Sequence, residues 1–140
     1  MKEKVKNNWS KWIFFKDLNK LPKIPVVYQI RCLGLNFNPI PICRLKRIDK
    51  NGIIDIGHTV NLRTRMSDFW GAAGKGKPSY SHQAGVNFLK RNYKKLFPVE
   101  KLQFRYLSQK DKSSARKIEG EEIKKYIKKF FEFPPLNSQE

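Results

Sequence analysis

Gly52-Ile53-Ile54-Asp55-Ile56-Gly57-His58-Thr59-Val60-Asn61-Leu62-Arg63-Thr64-Arg65 joins a short β-branched run to a glycine and then to an arginine-bearing segment. The run predicts a strand over 53–56. Thr59 or Asn61 can cap a following helix over about 62–73, which Gly71, Gly74, Gly76 and Pro78 then break up. Upstream, residues 42–48 read as a second strand. Asp49-Lys50-Asn51-Gly52 reads as the turn that folds it back on 53–56 in a hairpin. On the helix, Leu62, Met66, Phe69 and Ala73 form the apolar stripe, and Arg63 and Arg65 flank it about equally, so periodicity does not choose between the two arginines.

Working outward, residues 26–32 (Val-Val-Tyr-Gln-Ile-Arg-Cys) are a clear strand with Val26, Tyr28, Ile30 and Cys32 on one face. Residues 34–41 are turn-rich, and 34–48 reads as an inserted hairpin segment. In the N-terminal extension, residues 1–20, Trp9, Trp12 and Ile13 fall at helical spacing. A second helix is expected over 81–96, with Val86, Leu89, Tyr93 and Leu96 inward. A half-buried strand follows over 100–107, and a last helix over 113–132 is capped by Ser113 or Ser114. The expected fold is one α+β domain over 1–140, a small, mostly antiparallel sheet of about three or more strands flanked by helices.

Thirty Lys and Arg against 12 Asp and Glu give a formal charge of +18. That balance points to a polyanionic partner, and 13% aromatic with 39% hydrophobic residues argues for a folded module rather than a basic tail. No window approaches a spanning helix or a signal-peptide core, so a soluble cytoplasmic protein is expected, with no membrane partner. Cys32 and Cys43 have no neighbouring Cys/His set and read as reduced small hydrophobes.

The last helix carries the strongest chemical signal. Ala115, Ile118, Ile123, Tyr126, Ile127, Phe130 and Phe131 form one stripe, and Glu119 falls near its centre, whereas Glu121 points away and Glu122 lies at the edge. A carboxylate on a core-facing stripe must be paired, protonated or bound to a cation. A partner among the many Lys and Arg satisfies that requirement as well as a metal does.

Taken together, Val26-Val27-Tyr28, Asp55-Ile56-Gly57, Asn61-Leu62-x-x-Arg65, Glu119-x-x-x-Ile123-x-x-Tyr126 and Pro134-Pro135-Leu136-Asn137 resemble, in order, the elements of the GIY-YIG nuclease family. The resemblance implies an endonuclease that hydrolyses phosphodiester bonds in DNA, with RNA as the other candidate. In it Tyr28 positions or deprotonates the attacking water, Arg65 holds the phosphate and Glu119 binds a single Mg²⁺, or Mn²⁺ in its place. Gly57, Asn61 and Asn137 would support the site. A single-site nuclease of this kind can need a second copy to break both strands of a duplex.

The chain departs from the family pattern at three positions. Val26 replaces a glycine. Phe69 stands where some members carry a His or Tyr, which leaves His58 and His82 as the imidazoles available for proton transfer or phosphate contact. Asp55 replaces the second tyrosine. It reads as a water-orienting acceptor or base, a second carboxylate near the metal or a mark of lost activity, and otherwise as a strand-end aspartate that caps a turn. Lys75, Lys77, Lys90, Arg91, Lys94 and Lys95, with His82, make a candidate phosphate-backbone track. The alternatives to a nuclease are a non-cleaving nucleic-acid-binding module of the same fold and a small basic RNA-associated structural protein.

Overall fold

A computed structural model describes residues 8–18, 21–77 and 82–137. Among the described residues six strands and three α-helices are formed: β1 (Ile13–Phe14), β2 (Val26–Cys32), β3 (Ile42–Cys43), β4 (Ile48–Asp49), β5 (Ile53–Thr59), α1 (Leu62–Ala73), α2 (Gln83–Lys90), β6 (Leu102–Ser108) and α3 (Lys112–Phe130). The main sheet is antiparallel with strand order β1-β6-β2-β5. The fold is therefore α+β with an antiparallel sheet, as the pattern of elements predicts.

β2 lies between β5 and β6, and its dense run of β-branched residues suits a strand covered on both faces. On one face Val26, Tyr28, Ile30 and Cys32 pack with Leu62, Met66 and Phe69 of α1, Phe88 of α2, and Phe15, Phe104 and Leu136. On the other, Val27, Ile53 and Ile56 pack with Ala115, Tyr126 and Phe130 of α3. The alternation of β2 thus feeds two cores, with α1 and α2 on one side and α3 on the other.

β5 is the outer strand, and its open edge is covered by the C-terminal segment. Leu136 N–H donates to the Ile54 carbonyl at 2.8 Å. The Asn137 side chain accepts from Ile56 N–H at 3.0 Å and donates to the Ile56 carbonyl at 2.8 Å, so its amide does the work of a neighbouring strand.

Several local expectations are corrected. Residues 53–56 do not pair with 42–48; β3 pairs with β4, and β5 pairs with β2. The Asn51-Gly52 turn is a link into β5, built on Asp49, whose buried carboxylate accepts from the N–H groups of Asn51, Gly52 and Ile53 and from the Tyr126 hydroxyl. Gly52 is required there: its φ is +64°, and a side chain would collide with the Ile40 carbonyl. The N-terminal extension forms β1 and a 3₁₀ turn over Phe15–Asp17 rather than an α-helix, because the free edge of β6 offers it a partner. Its first seven residues and residues 19–20 lie outside the described residues.

α2 is shorter than expected and turned differently. It ends at Lys90, and Asn92 takes a left-handed conformation before a 3₁₀ turn over Tyr93–Lys95. Ala84, Gly85 and Phe88 face inward instead of Val86 and Leu89, and Leu96 is exposed. Gly85 explains the choice, since a Cβ there would press at 3.1 Å on Ala72 and on the Phe69 carbonyl, and its absence lets α2 lie against α1. Ser81, the expected start, is outside the described residues. α3 is capped by Asp111, which accepts from Ser114 N–H at 2.7 Å, and it stops where Phe131 turns left-handed and leaves the apolar stripe. Cys43 is exposed rather than buried; Cys32 is buried, and both thiols are free. No helix among the described residues is long and apolar enough to cross a membrane.

Candidate functional site

A cavity of about 200 Å³ opens at the outer edge of β5, lined by Tyr28, Asp55, Gly57, His58, Arg65, His82, Glu119 and Asn137 among others. Residues from β2, β5, α1, α2 and α3 meet there with His82, just before α2, and the C-terminal segment. In the antiparallel register Tyr28 stands opposite Gly57, and Ile30 opposite Asp55. Tyr28 and Asp55 therefore face α1, while His58 alternates to the side of α3. The cavity wraps the strand edge and receives groups from both faces.

Gly57 fits this arrangement by having no side chain. A Cβ there would overlap the ring and hydroxyl of Tyr28, so the phenol lies across the bare backbone of β5. Its hydroxyl is 3.2 Å from His82 Nε2 and accepts a longer bond, 3.4 Å, from Arg65 Nε. Arg65 is half-buried over the cavity whereas Arg63 is exposed, which resolves what helical periodicity leaves open.

His82 is corrected in role. It does not reach outward for a phosphate: it is 1% exposed, packs edge-on to Phe69 and caps α2, with Nδ1 accepting from Gly85 N–H at 3.3 Å. Burial, with Arg65 nearby, pulls its imidazole down to about 3, so it is neutral. With Nδ1 occupied as an acceptor, the ring proton sits on Nε2 and is donated to Tyr28. The Tyr28 oxygen then accepts from two donors, and its own proton is directed elsewhere. Burial, reinforced by Asp55, holds the phenol well above its ordinary range despite Arg65.

Asp55 is 4% exposed, and burial pushes its carboxyl up to about 7, with Arg65 pulling it down and Glu119 pushing it further up. Glu119 accepts or shares a proton with His58 Nδ1 across 2.8 Å, both side chains about a quarter exposed. That bond, rather than a surface lysine, is what partners Glu119 on its helix.

No family model, curated protein or solved structure matches this chain.

A divalent cation can be tested on charge and donors. Glu119 and a partly ionised Asp55 share the cavity with one guanidinium, so the cavity lacks the excess of positive charge carried by the protein as a whole. Among the described residues no group of three or more His, Cys, Asp or Glu is placed to enclose a metal. A caged transition metal does not fit. Mg²⁺ does, since it keeps most of its waters and uses one or two protein carboxylates with substrate phosphate. Glu119 is the residue positioned to supply one.

Asn61 lies outside the cavity and caps α1, accepting from Thr64 N–H at 3.2 Å. Lys75, Lys77, Lys90, Arg91, Lys94 and Lys95 do not line the cavity either; all six are exposed along α1's end, α2 and the following turn. Arg91 is tied to the Pro135 carbonyl at 2.9 Å, which connects that track to the segment carrying Asn137. Gln83 and Leu136 line the cavity and are not singled out by the sequence. Leu136 follows the Pro-Pro pair and would be legible only if β5 were known to be an edge.

Proposed function

We propose that the cavity is the active site of a Mg²⁺-dependent endonuclease of the GIY-YIG type that hydrolyses phosphodiester bonds in DNA. The supporting observation is the convergence of Tyr28, Asp55, Arg65 and Glu119, separated by up to 91 positions, on one cavity. Arg65 holds a phosphate oxygen with its guanidinium, part of which already bonds Tyr28. Tyr28, accepting from His82 and Arg65, donates its proton toward the cavity and orients the attacking water.

Asp55 takes the proton. With its carboxyl at about 7 it is partly ionised at neutral pH and ready to receive one, whereas the raised Tyr28 phenol is a poor source of phenolate. The water oxygen bonds to phosphorus as the bond to the leaving sugar oxygen breaks, and His58, beside Glu119, stands ready to return a proton to that oxygen. When bound at Glu119, Mg²⁺ supplies positive charge to the phosphate oxygens, and Mn²⁺ serves the same donor. The departure at Asp55 thus reads as a replacement base rather than a lost one.

The test is conversion of supercoiled plasmid to nicked circles by the wild-type chain in Mg²⁺ and in EDTA, with single-stranded RNA in parallel. Nicking only with Mg²⁺ supports the proposal. Salt-sensitive binding to DNA without cleavage in either condition replaces it with the non-cleaving module, and binding confined to RNA with the RNA-associated protein.

A further inference from the structure

The loop joining β3 to β4, Arg44-Leu45-Lys46-Arg47, presents a leucine that is 78% exposed on a backbone tied at successive residues. Leu45 N–H donates to Glu132 at 2.7 Å, Lys46 N–H donates to the Phe130 carbonyl at 3.2 Å, and Arg44 reaches the Phe133 carbonyl at 3.1 Å and Glu132 at 3.6 Å. Lys46 lies over the Phe131 ring at 4.7 Å. Exposed loop tips are ordinarily polar and loosely tied. Besides the bond from Arg44 N–H to the Arg47 carbonyl within the loop, these anchors are Phe130, which ends α3, and the three residues after it, and what they present to solvent is an apolar side chain set among basic ones.

We infer that Leu45 is a wedge that enters a nucleic-acid duplex between base pairs and unstacks them, with Lys46, Arg47 and Lys50 on the flanking phosphates. Charge selects this occupant: the tip carries cations around an apolar point, which matches stacked bases inside a phosphate border. Preorganisation serves that use, because a loop whose backbone is tied before binding loses little freedom when its leucine inserts. The tip sits at the C-terminal end of α3, and the cavity residue of that helix lies mid-helix. Glu119 and Phe130 are eleven positions apart, so roughly 17 Å, or about five base-pair steps, separates them along the axis.

The inference rests on the nucleic-acid reading of the site and names its substrate as a duplex that can be kinked. It is tested in EDTA, so that cleavage plays no part, with a duplex carrying 2-aminopurine at successive positions. Saturating wild-type protein should raise the fluorescence several-fold at one or two adjacent positions. Leu45→Ala should abolish the rise at saturation, while Leu45→Phe keeps it and Arg47→Ala weakens binding without removing it. Binding with no rise at any position overturns the wedge and leaves the nuclease reading standing, since nicking is scored separately. Absence of duplex binding overturns the wedge, and absence of nicking in Mg²⁺ as well overturns the nuclease reading on which it rests. Leu45-dependent binding to phosphatidylserine vesicles without unstacking overturns the wedge in favour of a lipid surface.

Discussion

The Tyr28 hydroxyl and His82 Nε2 meet at 3.2 Å across 54 residues of sequence, and Gly85 N–H fixes which of the two donates. This pairing makes the phenol an acceptor with a free proton. Tyr28→Phe leaves the buried His82 donor without a partner and should cost about 1–3 kcal/mol of stability. Urea denaturation checks it; an unchanged midpoint would show that the imidazole finds another acceptor.

Gly57→Ala should be far more damaging than its size suggests. The added methyl meets the Tyr28 ring, so either the phenol leaves the cavity or β5 shifts, at roughly 1–3 kcal/mol. Gly120→Ala is the control: nothing lies within 4 Å of a Cβ there, and in mid-helix the change should stabilise by about 0.5–1 kcal/mol. Thermal melts of the two variants should therefore move in opposite directions.

Asp55 gives stability a pH dependence of defined sign. Burial raises its carboxyl from 3.8 to about 7, so the folded state binds the proton more tightly than the unfolded chain. Its contribution is fully present below about 4 and is lost as pH rises to about 7. Asp55→Asn, neutral throughout, should gain on wild type across that window by on the order of 2–4 kcal/mol. The measurement is chemical denaturation in EDTA at pH 4 and pH 8. A pH-independent difference would mean that the carboxylate is solvated.

The basic track predicts a steep salt response. If about six of its side chains meet phosphates, DNA affinity should fall by roughly 10³-fold between 50 and 200 mM salt, and each Lys→Ala change should reduce the slope by about 0.9. A slope unmoved by Lys90→Ala with Lys94→Ala would place the phosphate contacts on another surface.

Strand β2 and helix α1 were legible with the bounds observed, because one is a dense β-branched run and the other has an Asn cap and a glycine stop. What sequence could not supply was set by distant partners. β1 exists because β6 has a free edge, and β5 ignores its neighbour in sequence because β2 pairs with it more extensively. In the site, Tyr28, Asp55, Arg65, His58, Glu119 and Asn137 were all expected, and all line the cavity. His82 is not legible as a buried residue, since a histidine following a glycine- and lysine-rich loop gives no local sign that a tyrosine 54 positions earlier will cover it.

Asp55 can also be exchanged for the residue it replaces. Asp55→Tyr should lower nicking and Asp55→Asn should lower it further, on the order of 10²-fold, if the carboxylate receives the water proton. A gain of activity with tyrosine would mark Asp55 as a lesion instead.

The site stands or falls on Mg²⁺-dependent nicking by Glu119→Ala and Arg65→Ala beside wild type, with DNA binding measured on the same preparations. Wild-type nicking reduced by about 10²-fold or more in both variants, each still folded and binding DNA, is the predicted result. Nicking that survives both substitutions, or a wild-type chain that binds DNA and never cuts it, would contradict the assignment of this cavity as a nuclease site.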